Sequence, residues 1–285
     1  MGNSEEDGHE LQCSEDYRQP ALHLKSEQLK LSTAEVYEAK LPASANPNDI
    51  RFFVGEWAHI RTRLDYSYHK VPMKSRQLLQ DSILADVLKR RTKECKDCYE
   101  DSSHPQVLFT AGAMASGKGH ALRYFLKQGE VSLPEDFIWV DPDMIARMLP
   151  EREQYLQFDQ DNAPERLHPE ASMLQEILGH IGRERRQSLV IDGSLSDGHW
   201  FKEVMEGYRK EGYRLEIFFV FAETDTMERR AEQREKETGR QTDRHKIEDS
   251  ARRAPESVQQ LARSEHVDRY TILEEIPALK ETGTK

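Results

Sequence analysis

Residues 112–120 read GAMASGKGH, directly behind the apolar run VLFTA at 107–111. Gly112, a four-residue gap, then Gly117 and Lys118 give the spacing of a loop that wraps phosphate. Glycine at both ends lets the backbone curl until successive N–H groups point at one centre. A helix opening at the far end adds a partial positive charge, and the Lys118 ammonium can reach terminal phosphates. We therefore place Gly112, Ala113, Met114, Ala115, Ser116, Gly117, Lys118, Gly119 and His120 at a bound nucleotide, with His120 also readable as helix surface. The pattern gains meaning only between a strand and a helix, so its surroundings decide it.

Those surroundings alternate. QVLFTA, DFIWV, QSLVID and RLEIFFVFA are short apolar, β-rich runs, and DRYTIL is a weaker fifth. Helical stretches are expected between them at 121–128, 169–186, 200–211 and 226–238. In the second, Met173, Leu174, Ile177, Leu178 and Ile181 make one apolar stripe. Strand and helix in alternation mean right-handed βαβ units around a parallel sheet. The expected fold is α/β: a P-loop nucleoside-triphosphate-binding three-layer sandwich with a parallel sheet, plus a helical N-terminal extension. The sandwich is assigned to residues 105–275, with a C-terminal tail at 276–285.

Residues 1–48 are polar and acidic, end in LPASANPND, and read as disordered or loosely packed. Residues 49–104 read as a helical extension and connector, with Leu79, Ile83, Leu84, Val87 and Leu88 at helical spacing. KECKDCYEDSSHP carries a CxxC at Cys95 and Cys98, but no second pair completes a zinc site. MGNSEED has the Gly2 of a myristoylation signal but Glu6 where Ser or Thr is wanted.

Net charge is −11, from 41 Lys and Arg against 52 Asp and Glu, which argues against tight contact with a nucleic-acid backbone. No apolar run reaches the roughly 18 residues of a membrane span, no secretory signal is visible, and three cysteines suit a reducing compartment. A cytoplasmic setting is expected. The N-terminal extension is left as a candidate surface for a protein partner.

Carboxylates follow two of the runs. Asp141 and Asp143 stand in VDPDMIARMLP, where Asp141 and Pro142 also make an ordinary helix start. Beside a phosphate loop, a carboxylate facing the cleft is where a kinase keeps its base. Asp192 ends LVID, where it serves as a Mg²⁺ carboxylate or as a turn former before Gly193. The Ser or Thr whose hydroxyl usually ligates Mg²⁺ after the lysine is Gly119 here. After the fourth run, Arg229, Arg230, Arg234 and Arg240 sit in a highly charged stretch. It is either solvated helix surface or a mobile lid that stabilises charge on a transferring phosphoryl group.

Taken in order, GAMASGKGH, VDPDMIARMLPE, HPEAS, LVIDGSLSD, GYRLEIFFV and the RR…R…TGR segment resemble the zeta-toxin family of P-loop small-molecule kinases. The resemblance covers roughly 105–275. It implies ATP at the loop with Lys118 on its phosphates, Mg²⁺ held with the help of Asp192, and Asp143 as base. Arg234 and Arg240 would stabilise charge. Asp141, Arg230, His168 and Glu170 would line the acceptor side, although His168 and Glu170 equally read as a helix start. Transfer of the γ-phosphate to a hydroxyl of a small molecule follows, with UDP-N-acetylglucosamine as a candidate acceptor. A polynucleotide or nucleoside kinase, and a nucleotide-binding regulatory module without catalysis, are the alternatives.

Overall fold

The computed structural model describes residues 23–89, 104–131, 133, 137–238 and 244–273. Gly2, the Cys95/Cys98 pair, Arg240 and the tail from 276 lie outside the described residues, as does the side chain of Arg234. The described chain begins with α1 (Thr33–Val36), α2 (Ala58–Arg61) and α3 (Lys74–Lys89). There follow β1 (Gln106–Ala111), α4 (Lys118–Gln128), β2 (Ile138–Val140), α5 (Pro142–Met148), α6 (Arg152–Phe158) and α7 (Ala163–Arg185). Last come β3 (Leu189–Ile191), α8 (Gly198–Lys210), β4 (Arg214–Val220), α9 (Thr224–Thr238), α10 (Arg244–Ala262) and β5 (Arg269–Leu273).

The five strands form one sheet in the order β2-β3-β1-β4-β5, and every pair is parallel. All six residues of β1 are buried, because a central parallel strand is covered on both faces; that is why its sequence is a continuous apolar run. Leu108, Val190 and Phe218 pack with Ala121 and Leu122 of α4 on one face. Val107, Phe109, Ile191 and Ile217 face α7 and α8 through Ile177, Leu178, Ile181, Phe201 and Met205. Ile83, Leu84 and Val87 of α3 join that same cluster, so the expected helix packs on the sandwich itself.

Three expectations change. Residues 23–48 are attached rather than loose: Leu24 and Leu29 pack on the core, and Ser32 and Glu35 close a capping box on α1. The segment's few apolar and aromatic residues are spaced to meet α6, a property that its average polarity conceals. Secondly, α7 begins at Ala163 and carries Pro169 inside it, where the sequence places the start at the proline. Pro164 fills the favoured first-turn position instead. Thirdly, α10 was not expected. Its pattern is masked by charge, yet Ile247, Ala254, Val258 and Leu261 are buried.

Candidate active site

At the C-terminal end of β1 the chain turns through Gly112–Gly117 into α4. Gly112 has φ +135°, and a Cβ there would sit 2.3 Å from the carbonyl oxygen of Val220 on β4. No other residue fits this close approach. Gly117 has φ 93° and caps α4, and Ala115 holds φ 61°, an uncommon backbone state for a residue with a side chain. The first amides of α4 have no carbonyl of their own helix to bond, which is the chemistry that receives an anion. Lys118 Nζ donates to the carbonyl oxygens of Gly112 and Ala113, both at 3.0 Å, so the ammonium lies folded across the mouth of the loop.

The loop is braced from the C-terminal half. Arg230 Nη1 donates to Ser116 O at 2.8 Å, and Met114 N donates to Ser250 Oγ on α10 at 3.1 Å. Arg230, expected on the acceptor side, is thus placed at the phosphate loop. Ala113 and Ala115 pack against Met227, Ala231 and Ile247, so α9 and α10 form the floor beneath it. Ser116 is 1% exposed, and its Oγ has no hydrogen-bond partner among the described residues. A buried hydroxyl without a partner costs roughly 1–3 kcal/mol, which a ligand oxygen would relieve. Main-chain amides, one ammonium and an unsatisfied hydroxyl fit a polyphosphate.

Facing the loop are the ends of β3 and β2. Thr110 of β1 donates to Asp192 Oδ1 at 2.5 Å, fixing that carboxylate at the end of β3 beside the loop. Asp141 caps α5, its Oδ1 accepting from the amides of Asp143 (2.8 Å) and Met144 (3.1 Å), so the ordinary helix-start reading is fulfilled. Burial, then the charges of Asp192 and Asp143, push the Asp141 carboxyl up to about 6. Among the described residues no group of three or more His, Cys, Asp or Glu makes a ready metal cage. Still, hard oxygen donors crowded by like charge fit a divalent cation held partly through water.

That crowding has a measurable sign. A carboxyl raised from 3.8 to about 6 binds its proton more tightly when folded, so its contribution is greatest below pH 4 and is lost as pH rises through 6. Asp141→Asn keeps a good cap and removes the burial of charge. In chelator it is expected to stabilise the protein at pH 7.5 by on the order of 2 kcal/mol, with little gain at pH 4. Urea unfolding at both pH values checks this; a variant no more stable than wild type at pH 7.5 would refute it.

Asp143 is exposed and lines a shallow, open depression of about 60 Å³, together with Ala146, Arg147, Arg152, Leu156, Leu167 and His168. The residue expected as base, Asp143, and one expected on the acceptor side, His168, are therefore brought together by α5 and α7. Glu170 is not. It is 2% exposed and accepts from Arg76 Nε and Nη2, each at 2.7 Å, and from Gln80 Nε2 at 2.8 Å. It stands two residues beyond His168 on α7, and its carboxylate is spent on α3. Burial alone would raise its pKa, but the Arg76 charge and hydrogen bonds hold it below the usual range. Sequence reasoning missed Arg76. Its signal was an arginine four residues before Gln80 and seven before Ile83, on the face that α3 buries.

A parallel sheet in this order, with a phosphate loop after its central strand and carboxylates on the neighbouring strand ends, can now be compared with known proteins. The zeta toxin family profile matches residues 89–278. The chain belongs to the zeta toxin family. No curated protein matches its sequence. Among solved structures, the chain is similar to a protein of the PezAT chromosomal toxin-antitoxin system of Streptococcus pneumoniae. That likeness has TM-score 0.54 at 17% identity and covers 69% of this chain and 76% of that one. The AvrRxo1-ORF1:-ORF2 complex gives TM-score 0.57 at 15% identity, over 85% of this chain and 72% of that one. The same complex solved with ATP gives 0.54. At these identities the likeness is one of fold: the zeta toxin domain has the P-loop kinase architecture of ATP-dependent phosphotransferases. No helix among the described residues is long and apolar enough to cross a membrane.

Gly119 departs from the usual hydroxyl residue, and the space around it is open. A Cβ there meets only Arg123 Nη2 at 3.5 Å, and its φ is not in the left-handed region. Gly119→Ser is expected to fold, to stabilise α4 by roughly 0.5 kcal/mol, and to tighten Mg²⁺-dependent nucleotide binding several-fold. Calorimetric titration with ATP, with and without Mg²⁺, reads the change; equal affinities for both proteins would show that the hydroxyl is dispensable here.

Proposed function

We propose that this zeta toxin domain transfers the γ-phosphate of ATP to a hydroxyl of a small molecule seated beside Asp143 and His168, with a nucleotide sugar such as UDP-N-acetylglucosamine as the first acceptor to test. The observation that carries the reading is the juxtaposition across three adjacent strand ends. The Gly112–Lys118 loop follows β1, Asp192 follows β3, and Asp141 and Asp143 follow β2 beside an open depression.

In this reading the loop amides, Lys118 and Arg230 bind and orient the triphosphate. The acceptor hydroxyl gives its proton to the Asp143 carboxylate as its oxygen bonds to the γ-phosphorus. The bond to the β–γ bridging oxygen breaks, and that oxygen leaves with ADP. Mg²⁺, when bound, would neutralise phosphate charge, and Asp192, with Asp141 beside it, would help to hold it. Arg234 and Arg240 are proposed to add positive charge over the transferring group, and Ser116 to donate its hydroxyl hydrogen to a phosphate oxygen. The ATP-bound AvrRxo1 complex, similar in fold, supports the nucleotide side of the reading.

The test is incubation of the full chain with ATP and Mg²⁺ over a panel of UDP-sugars, nucleosides and short oligonucleotides, scored by mass. Phosphorylated UDP-sugar from wild type, absent with Lys118→Ala, is the expected result. Phosphate appearing on the oligonucleotides or nucleosides instead would replace the acceptor class. Tight ATP binding without transfer to any of them would turn the reading towards a regulatory nucleotide-binding module.

A further inference from the structure

Arg76 lies outside the residues matched to the zeta toxin family, yet it is buried between two glutamates on elements that line the depression. Its guanidinium is 2% exposed and serves two carboxylates at once. Nη1 and Nη2 donate to the two oxygens of Glu151 at 2.8 and 2.9 Å, while Nε and Nη2 donate to the two oxygens of Glu170, each at 2.7 Å. Both glutamates are fully buried, at 0% and 2% exposure. Tyr37 completes the shell from α1's C-terminal end: its ring lies 4.1 Å under the guanidinium and its hydroxyl donates to Glu151 Oε1 at 2.6 Å.

The two carboxylates sit in informative places. Glu151 is the residue before α6, whose Arg152 and Leu156 line one side of the depression. Glu170 follows His168 by two residues on α7, whose Pro164, Leu167 and His168 line the other. The arginine fork is planar and rigid, so it fixes the distance and angle between its two partners rather than merely neutralising them. The same extension grips α6 twice more: Leu24 N donates to Gln154 Oε1 at 2.7 Å, and Tyr155 OH donates to Leu31 O at 2.9 Å. None of these contacts reaches the phosphate loop.

We propose that Arg76 is a positioning residue for the acceptor pocket. From the N-terminal extension it holds the α6 and α7 walls at the separation that seats the phosphate acceptor, and residues 23–89 are thereby a working part of the site. The inference rests on the acceptor assignment proposed above, and the experiment separates the two.

A variant that strands two buried carboxylates would unfold, so the charges are removed together in Arg76→Leu/Glu151→Gln/Glu170→Gln, alongside Arg76→Lys. In the full chain, three quantities are measured: ATP affinity by calorimetry, amide exchange of peptides spanning 142–170, and steady-state kinetics with ATP and UDP-N-acetylglucosamine. ATP affinity within two-fold of wild type, exchange at least ten-fold faster across 151–168, and an acceptor KM raised at least ten-fold at unchanged ATP KM are expected. Arg76→Lys should restore part of the acceptor KM, because it returns charge without the fork. Unchanged exchange in 151–168, or ATP and acceptor affinities falling together, would overturn the positioning role and leave Arg76 as a general stabiliser. If wild type phosphorylates no UDP-sugar, the acceptor assignment fails separately, and the exchange and ATP-affinity results still decide whether Arg76 holds the pocket walls.

Discussion

Asp143→Asn is expected to lower phosphoryl transfer by about two to four orders of magnitude while leaving ATP affinity within a few-fold of wild type. The amide keeps the size of the side chain and its place at the second position of α5, and the capping bond to Asp141 is made by the backbone N–H of residue 143, which the substitution retains. What is lost is an acceptor for the proton of the incoming hydroxyl. Asp141 is less well placed to replace it, since that carboxylate already accepts two amides as the cap of α5. Single-turnover measurement with saturating ATP isolates the step. Transfer by Asp143→Asn at more than a tenth of the wild-type rate would remove Asp143 from the base role and direct attention to Asp141 or Asp192.

The second large effect is expected at Gly112. An alanine there must adopt φ near +135° and place its Cβ 2.3 Å from Val220 O, which is backbone and cannot swing aside. Either β1 and β4 separate at their ends, or the loop leaves its path. Strain of this kind costs about 1–3 kcal/mol before the steric contact is added. We expect ATP affinity to fall about 100-fold or more, a change of roughly 3 kcal/mol, with a smaller loss in unfolding free energy. Gly129, also at positive φ but with no atom within 4 Å of a Cβ, is the matched control. Gly129→Ala should leave ATP affinity unchanged; equal losses at the two sites would mean that Gly112 matters only for general stability.

The sheet and the loop were legible because their chemistry is local. β1 to β4 are short apolar runs that stay apolar because both faces are covered, and Gly112, Gly117 and Lys118 obey a spacing that backbone geometry demands. Asp141 was legible as the start of a helix, and it caps α5 from the end of β2. What could not be read was chemistry between distant segments. Arg76 and Gln80 are buried on α3 where a periodicity argument wants aliphatic residues, and their partners are distant: Glu151 lies 75 positions from Arg76, and Glu170, which both contact, lies 94 from it. Glu170 drew a ligand-side reading for the same reason, since its neighbour His168 does line the depression. Ser250, which meets the loop amide of Met114 from α10, has no sequence mark at all.

The strand order has a bearing on how the molecule is made. β1 is central, but its neighbours in space are β3 and β4; β2, the next strand to be synthesised, does not touch it. About 80 residues must be added after Ala111 before Leu189 offers a partner, which at ribosomal speeds of about 5–20 residues per second is roughly 4–16 s. Throughout that interval a greasy hexapeptide has its hydrogen-bonding edges unclaimed, open to chaperones or to another nascent copy. Codon usage and growth temperature, more than the final stability of the fold, would then govern how much soluble protein a cell recovers.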